Sequence, residues 1–416
     1  MDTPSLTERL AAHLLRPVSE SNRQRARLNL LDWLACVAGA RRSEVASIAC
    51  VAEPDVLTRA ALLGNVLEMD DVHRAAILHP GPVVWPAVLS AARDDSAGMD
   101  SLLIAAVRGY EAVIAVGATF DAHHYAHFHN SSTAGGFGSA AAAASIYNLD
   151  SDQLAAALGN AGSIAGGLWQ MRHEPVMTKQ LHVAHAALGG LWIARLARRG
   201  FTGPLSILEG PQGLYAATVH DPKPMAFGRG WRIDEVSFKP WAACRHAHPV
   251  IDAALELKSK GGLRGPIRVD TYRDAIEFCD RPQPATPAEA RFSLQHAVAV
   301  VAVHGEPAPA HFEDAAIVDP AIAEVRAAVE VGEAEEFTAR YPEHFGARVS
   351  AGGESISLVD TRGDPERPLA PAGVIAKAQS LFAWGGVGED LAKQGVAVAL
   401  EGEEPAELIA WLEAIL

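Results

Sequence analysis

From residue 23 to residue 200 apolar side chains return every three or four positions, and the residues packed between them are small. "RQRARLNLLDWLACVAGA", "SLLIAAVRGYEAVIAVGATF" and "AHAALGGLWIARLARRG" all keep this spacing, with turns such as "GPQG" between such segments. A 3.6-residue period buries one face of a helix and cannot be satisfied by a strand. The many Ala and Gly residues let helix axes approach closely. No fixed repeat period is present, so the pattern predicts a layered helix bundle and excludes a solenoid. The least polar run, "GGFGSAAAAASIY", is too short to span a bilayer.

The texture changes near residue 240. "PIRVDTYRDAIEFC" and "ARVSAGGESISLVDTRGD" alternate as strands do, while "ARFSLQHAVAVVAVHG" keeps helical spacing. The tail segments "VIAKAQSLFAW" and "EPAELIAWLEAIL" are helical again, which returns the chain to the first domain. The expected fold class is mainly α: a large all-helical domain formed by both chain ends (residues 1–240 and 375–416) and a smaller α+β lid domain (residues 241–374).

With 416 residues, 49% of them hydrophobic, the chain buries a sizeable core. Its net charge of −15 repels polyanions, so neither nucleic acid nor an anionic membrane is an expected partner. An anionic small molecule then requires a local cationic pocket. "MDTPSLTERL" carries acids and no apolar segment of the secretory kind, and a cytoplasmic location is expected. Cys36, Cys50, Cys244 and Cys279 are far apart and form no CxxC pair, which argues for thiols and against a zinc ribbon or a disulfide framework.

Histidine carries the chemical signal. Twelve of the 17 histidines lie between His73 and His248, a concentration suited to proton transfer, metal binding or anion recognition. "LEMDDVHRAAILHPG" sets Glu68, Asp70, Asp71, His73, Arg74 and His79 among apolar residues. Pro80 and Gly81 fix the backbone after His79. His129 precedes "NSSTAGGFGSAAAAA", where Ser131, Ser132 or Thr133 is expected to cap a helix whose free N–H groups favour an anion. No GxGxxG order is present, so these glycines are not a dinucleotide fingerprint. Arg245 and His248 fall in "FKPWAACRHAHPVIDAAL", at the expected domain seam, where Arg245 is either a carboxylate clamp or a solvated interface charge. Lys179, in "HEPVMTKQLHVAHAALGGLW", either faces a bound anion or pairs with Glu174. "HHYAHFH" and "HAH" could supply metal ligands, but no HExxH or other fixed ligand spacing supports them, and no metal is expected.

Taken together, "GNVLEMDDVHRAAILHPG", "GYEAVIAVG", "HYAHFHNSSTAGGFGSAAAAA", "MTKQLHVAHAALGGLWIARLARRGFTGP" with "ILEGPQGLY", and "CRHAHPVIDAAL" resemble the MmgE/PrpD family. That family includes 2-methylcitrate dehydratase, cis-aconitate decarboxylase and iminodisuccinate epimerase. The resemblance implies a homodimer, an active site between the helical domain and the lid, and no metal or organic cofactor. It places the active-site positions on Glu68, Val72, His79, His129, Lys179 and His248; Arg172, Val72 and Arg245 are the residues expected to bind substrate. The usual opening of the first motif is Asp, aromatic, Asp, Asp, Thr, whereas here it is Glu68, Met69, Asp70, Asp71, Val72. Glu68 moves the charge by one methylene and Val72 cannot hydrogen-bond.

The implied function is a cofactor-independent lyase acting on a small di- or tricarboxylate by α-proton abstraction and stabilisation of an enolate-like intermediate. A dehydratase of the 2-methylcitrate or citrate type comes first, with a cis-aconitate-type decarboxylase or an iminodisuccinate-type epimerase as alternatives. His129 and His248 are the preferred proton-transfer pair, while Asp70 and Asp71 brace the loop and His73 and Arg74 lie at its rim. The alternative from another class is a non-catalytic carboxylate-binding relative.

Overall fold

Helix Gly135–Ile146 is the centre of the larger unit because it has almost no side chains to hold its neighbours away. Phe137, Gly138, Ser139 and the run Ala140 to Ala144 are all buried. Helices Gly81–Asp95, Met99–Gly117, Ser151–Ser163 and Thr178–Ala197 pack around it. The computed structural model describes residues 3–174 and 176–416.

The approach of helix Thr178–Ala197 is limited by backbone. A Cβ on Gly190 would lie 2.0 Å from the Ser139 hydroxyl and 2.6 Å from both the Ala140 nitrogen and the Gly136 carbonyl oxygen. The Ser139 hydroxyl also donates to the Ala186 carbonyl oxygen at 2.7 Å, joining the two helices. Gly190→Ala should force them apart at a cost of ~2–3 kcal/mol, as overpacked cores show. Differential scanning fluorimetry should read this as a melting temperature lower by about 2–4 °C. An unchanged melting temperature would contradict the close packing.

Both chain ends build this unit, which comprises Met1–Val66, Asp70–Val236 and Pro371–Leu416. Helix Pro371–Gly385 lies on helix Glu20–Ala40 so closely that a Cβ on Gly385 would be 2.0 Å from the Ala38 carbonyl oxygen. Beside this contact the buried Lys377 ammonium donates to Asp32 Oδ1 at 2.6 Å. The return of the tail to the first domain thus has both a steric and an ionic basis.

The smaller unit comprises Leu67–Met69 and Ser237–Ala370. Its sheet has the order β2-β1-β3-β4. Strand β1 (Ile267–Thr271) runs parallel to β2 (Val329–Glu333) and antiparallel to β3 (Ala347–Ala351), with Val269 opposite Val331 and Val349. Strand β4 (Glu354–Leu358) pairs with β3 through a turn at Gly352 and Gly353, whose φ values are 58° and 85°, a conformation glycine adopts without steric cost. Helix His248–Ser259 packs on β3 and β4, and helix Leu294–His304 packs on it and on β2.

Three details differ from the sequence expectation. The division falls at 236/237 and 370/371 instead of 240/241 and 374/375, because Ser237 Oγ donates to Asp364 Oδ1 at 2.8 Å and the Phe238 N–H donates to the Gly363 carbonyl at 3.1 Å. After β1 the segment Arg273–Cys279 is a helix, not a strand: Ala275, Phe278 and Cys279 are buried at a spacing of three and four. Residues Leu67–Met69 leave the helical unit for the smaller one, an excursion too short for any periodicity to register. Among the described residues no helix is long and apolar enough to cross a membrane.

Candidate active site

The loop joining helix Val56–Leu63 to helix Gly81–Asp95 is held by its second aspartate. Asp71 accepts hydrogen bonds from Tyr110 OH at 2.6 Å, Asn29 Nδ2 at 2.7 Å and the Gly81 N–H at 2.9 Å. A Cβ on Gly81 would lie 2.7 Å from Asp71 Oδ1, so the first turn of the helix has room only for glycine. Burial, and then the charge of Asp32, push the Asp71 carboxyl from its ordinary 3.8 up to about 7.

A carboxyl whose folded pKa is raised stabilises the fold fully below its unfolded pKa and loses that contribution as pH rises through the folded value. The relevant window runs from 3.8 to about 7. Asn cannot ionise, so the melting temperature of Asp71→Asn relative to the unaltered protein should shift in the variant's favour between pH 5 and pH 8. A difference that stays constant with pH would show that Asp71 is already ionised at pH 5.

Asp70 acts on the neighbouring histidine. Its Oδ2 lies 2.8 Å from His79 Nδ1, which is also 3.1 Å from the Asp71 carbonyl oxygen. The Asp71 carbonyl oxygen can only accept, so the hydrogen bond to it calls for a proton on Nδ1 and leaves Nε2 as the reactive nitrogen, while the Asp70 carboxylate sets a negative charge beside the ring. The His79 backbone N–H donates to Ser131 Oγ at 2.9 Å, and Asn130 Nδ2 donates to the Ala76 carbonyl at 2.9 Å, so this loop is tied to the segment after His129.

His129 is buried at 2% exposure, and its backbone N–H is fixed to the Gly167 carbonyl at 2.8 Å. Its ring centroid lies 4.7 Å from that of Trp169 and 5.7 Å from that of His182. Burial first, then Lys179 and the neighbouring His182 and His79 rings, depress its pKa well below the ordinary histidine value. The imidazole is therefore neutral. Ser131, Ser132 and Thr133 do not cap the long helix, whose N-cap is Ala134 and has no side-chain cap. Two of their hydroxyls are used elsewhere, Ser131 by His79 and Thr133 in donating to the Gly166 carbonyl at 3.2 Å.

Lys179 lies in the first turn of helix Thr178–Ala197, which has no acidic residue there. A cation at a helix N-terminus opposes the helix dipole. The Glu174 carboxylate, offered as its structural partner, instead accepts from Gln170 Nε2 at 2.9 Å. The Arg172 guanidinium carbon is 5.3 Å from the Trp169 ring centroid, and Val72 is buried. His73 is not a rim residue: it is 4% exposed, its Nδ1 accepts the Ala76 N–H at 3.2 Å, and its Nε2 lies 3.0 Å from Glu235. In "HHYAHFH" the rings of His123 and His127 lie 4.9 Å apart on one short helix, and His123 stacks on His220 at 3.5 Å.

In the smaller unit, Glu68 is held at φ 55°, a left-handed conformation that costs a non-glycine residue energy. Its Oε2 is 3.7 Å from Lys239 Nζ, and the Lys239 side chain is fully buried. Sequence reasoning missed Lys239, although a single lysine among Phe238, Pro240 and Trp241 is the same signal that singled out Lys179. Arg245 holds a carboxylate of the protein itself, that of the fully buried Asp364. Its Nε and Nη1 have no hydrogen-bond partner among the described residues. His248 opens helix His248–Ser259, is fully buried, and places Nε2 3.1 Å from the Ala243 carbonyl oxygen. Thus the helical unit gathers His79, His129, Lys179 and Arg172, and the smaller unit carries Glu68, Arg245 and His248.

The MmgE/PrpD N-terminal domain matches residues 58–226, and the MmgE/PrpD C-terminal domain matches residues 241–400. Cis-aconitate decarboxylase of Homo sapiens is 31% identical over 216 residues, 49% of this chain and 44% of that protein. Cis-aconitate decarboxylase-like protein oryM of Aspergillus oryzae is 30% identical over 215 residues, 47% of this chain and 44% of its own length. The mouse cis-aconitate decarboxylase is 32% identical over 184 residues, 41% of this chain and 37% of its own. The matched stretch therefore spans less than half of each of these relatives, whereas the two family domains together take in most of the chain. With both domains present in order and the quoted motifs inside them, the chain belongs to the MmgE/PrpD family.

Proposed function

We propose that this protein is a lyase acting on a small di- or tricarboxylate, with decarboxylation of a cis-aconitate-type substrate as the leading reaction. The observation that carries the reading is the grouping in the helical unit: an Asp70–His79 dyad, a neutral His129 and Lys179. The names of the similar proteins move decarboxylation ahead of the dehydration that the sequence alone favoured.

The chemistry asks for two things. Loss of CO2 from cis-aconitate leaves the bonding electron pair in an allylic system conjugated with a remaining carboxylate, and one proton must then be added to carbon. His79, with the Asp71 carbonyl fixing Nδ1 and the Asp70 carboxylate beside it, is suited to deliver that proton from Nε2. His129 and Lys179 are suited to stabilise the enolate-like charge, the former as an uncharged donor and the latter as a cation. We further assign His248 and Glu68 to turnover, His248 exchanging protons through Nδ1 because its Nε2 is committed to the Ala243 carbonyl. We also propose a homodimer, supported by Leu181 and Trp192, 58% and 59% exposed on one helix.

Calorimetry separates this proposal from a fold without ligand chemistry. Tricarballylate, a non-reacting tricarboxylate, should bind and its triamide should not, because Lys179 supplies a positive field despite the net charge of −15. Equal binding of the two, or binding of neither, would remove the reading.

A further inference from the structure

One imidazole beside this group has no role in the mechanism so far. His182 lies one turn after Lys179 in helix Thr178–Ala197, on the same face, because residues three apart on a helix are neighbours. Its ring centroid is 5.7 Å from that of His129. Its Nδ1 is buried with no hydrogen-bond partner among the described residues, and so is Nδ1 of His129.

Gly167 lies beside this nitrogen. Gly167 has φ 105°, and a Cβ there would be 2.5 Å from the Ser132 side chain and 3.5 Å from His182 Nδ1. Gly167 thus leaves the ring nitrogen enclosed with no hydrogen-bond partner among the described residues. An enclosed N–H without an acceptor costs more than an enclosed lone pair, so both rings are best served with the proton on Nε2. His182 as a residue is only partly buried, so its exposed surface lies on atoms other than Nδ1. Burial and the nearby His185 hold its pKa below the ordinary histidine value. Two uncharged Nε2–H donors and one ammonium within a single group suit a ligand with more than one carboxylate, since each anionic oxygen then meets a donor without the repulsion of three clustered cations.

We propose that His182 is a substrate-binding residue that donates its Nε2–H to a second carboxylate of the ligand, and so selects tricarboxylates over dicarboxylates. This rests on the polycarboxylate reading above. The probes are tricarballylate and glutarate, which share a carbon chain and differ by the central carboxylate. The variants are His182→Leu, which removes the donor, and His182→Gln, whose side-chain amide nitrogen comes near the position of Nε2.

The unaltered protein should bind tricarballylate ~10-fold or more tighter than glutarate, the effect of one hydrogen bond to a charged group. His182→Leu should bring that ratio to about 1, while His182→Gln should keep most of it. Melting temperatures should agree across the three proteins, because the ring nitrogen makes no bond that the fold uses. If His182→Leu folds normally and keeps the preference for tricarballylate, this proposal falls and the polycarboxylate reading stands. If the unaltered protein binds neither probe, both fall. If His182→Leu does not fold, the Gln variant decides: a lost preference in a folded His182→Gln protein would show that the selectivity does not come from a donor at that position.

Discussion

Lys179→Met should lower kcat by ~10²-fold or more and leave the melting temperature nearly unchanged or slightly raised. The structural half of this expectation comes from the helix. Lys179 is a cation in the first turn of helix Thr178–Ala197, where the backbone already presents partial positive charge, and no acid shares that turn. Replacing it with a neutral side chain of similar length removes an unfavourable term. The catalytic half comes from its neighbourhood, because its charge reaches His129 and helps to depress that imidazole's pKa. A cation held against the helix dipole and close enough to act on His129 is suited to charge that develops in the transition state. The opposite result, a clear fall in melting temperature with near-normal kcat, would make Lys179 a structural residue.

The second large effect should come from Asp70→Asn, with kcat reduced ~10²-fold or more and KM changed far less, as expected when a buried carboxylate paired with the reactive histidine is neutralised. Asp70 is 1% exposed and 2.8 Å from His79 Nδ1. An amide of the same shape keeps the volume and removes the negative charge that lies beside the ring during proton transfer. Steady-state kinetics on whichever substrate the protein turns over gives both constants. A KM increase with kcat intact would mean that Asp70 only shapes the pocket.

The contrast between Asp70 and Asp71 shows where the sequence stopped being legible. Both were expected to brace the loop. Consecutive residues in an irregular loop can point to opposite sides, and here one carboxylate goes to His79 while the other is enclosed by Tyr110, Asn29 and Gly81. The same limit moved His73 from the expected rim to a buried contact with Glu235. Helices were legible because burial of one face repeats at a fixed period, and the small residues of Gly135–Ile146 announced close packing that Gly190 then makes explicit. Seven residues satisfy either period about equally well, so the strand-like alternation of Arg273–Cys279 is compatible with the helix that it forms. Lys239 was overlooked since its importance lies in Glu68, 171 positions earlier in sequence and 3.7 Å away in space.

Incubation with cis-aconitate in deuterated water, followed by NMR together with measurement of released CO2, tests the central claim most directly. The account predicts one CO2 per substrate consumed and one deuterium on carbon in the dicarboxylate product, with both signals lost together in Lys179→Met. If cis-aconitate, citrate, 2-methylcitrate and iminodisuccinate all survive unchanged while tricarballylate still binds, the protein binds carboxylates without transforming them, and the lyase assignment is contradicted.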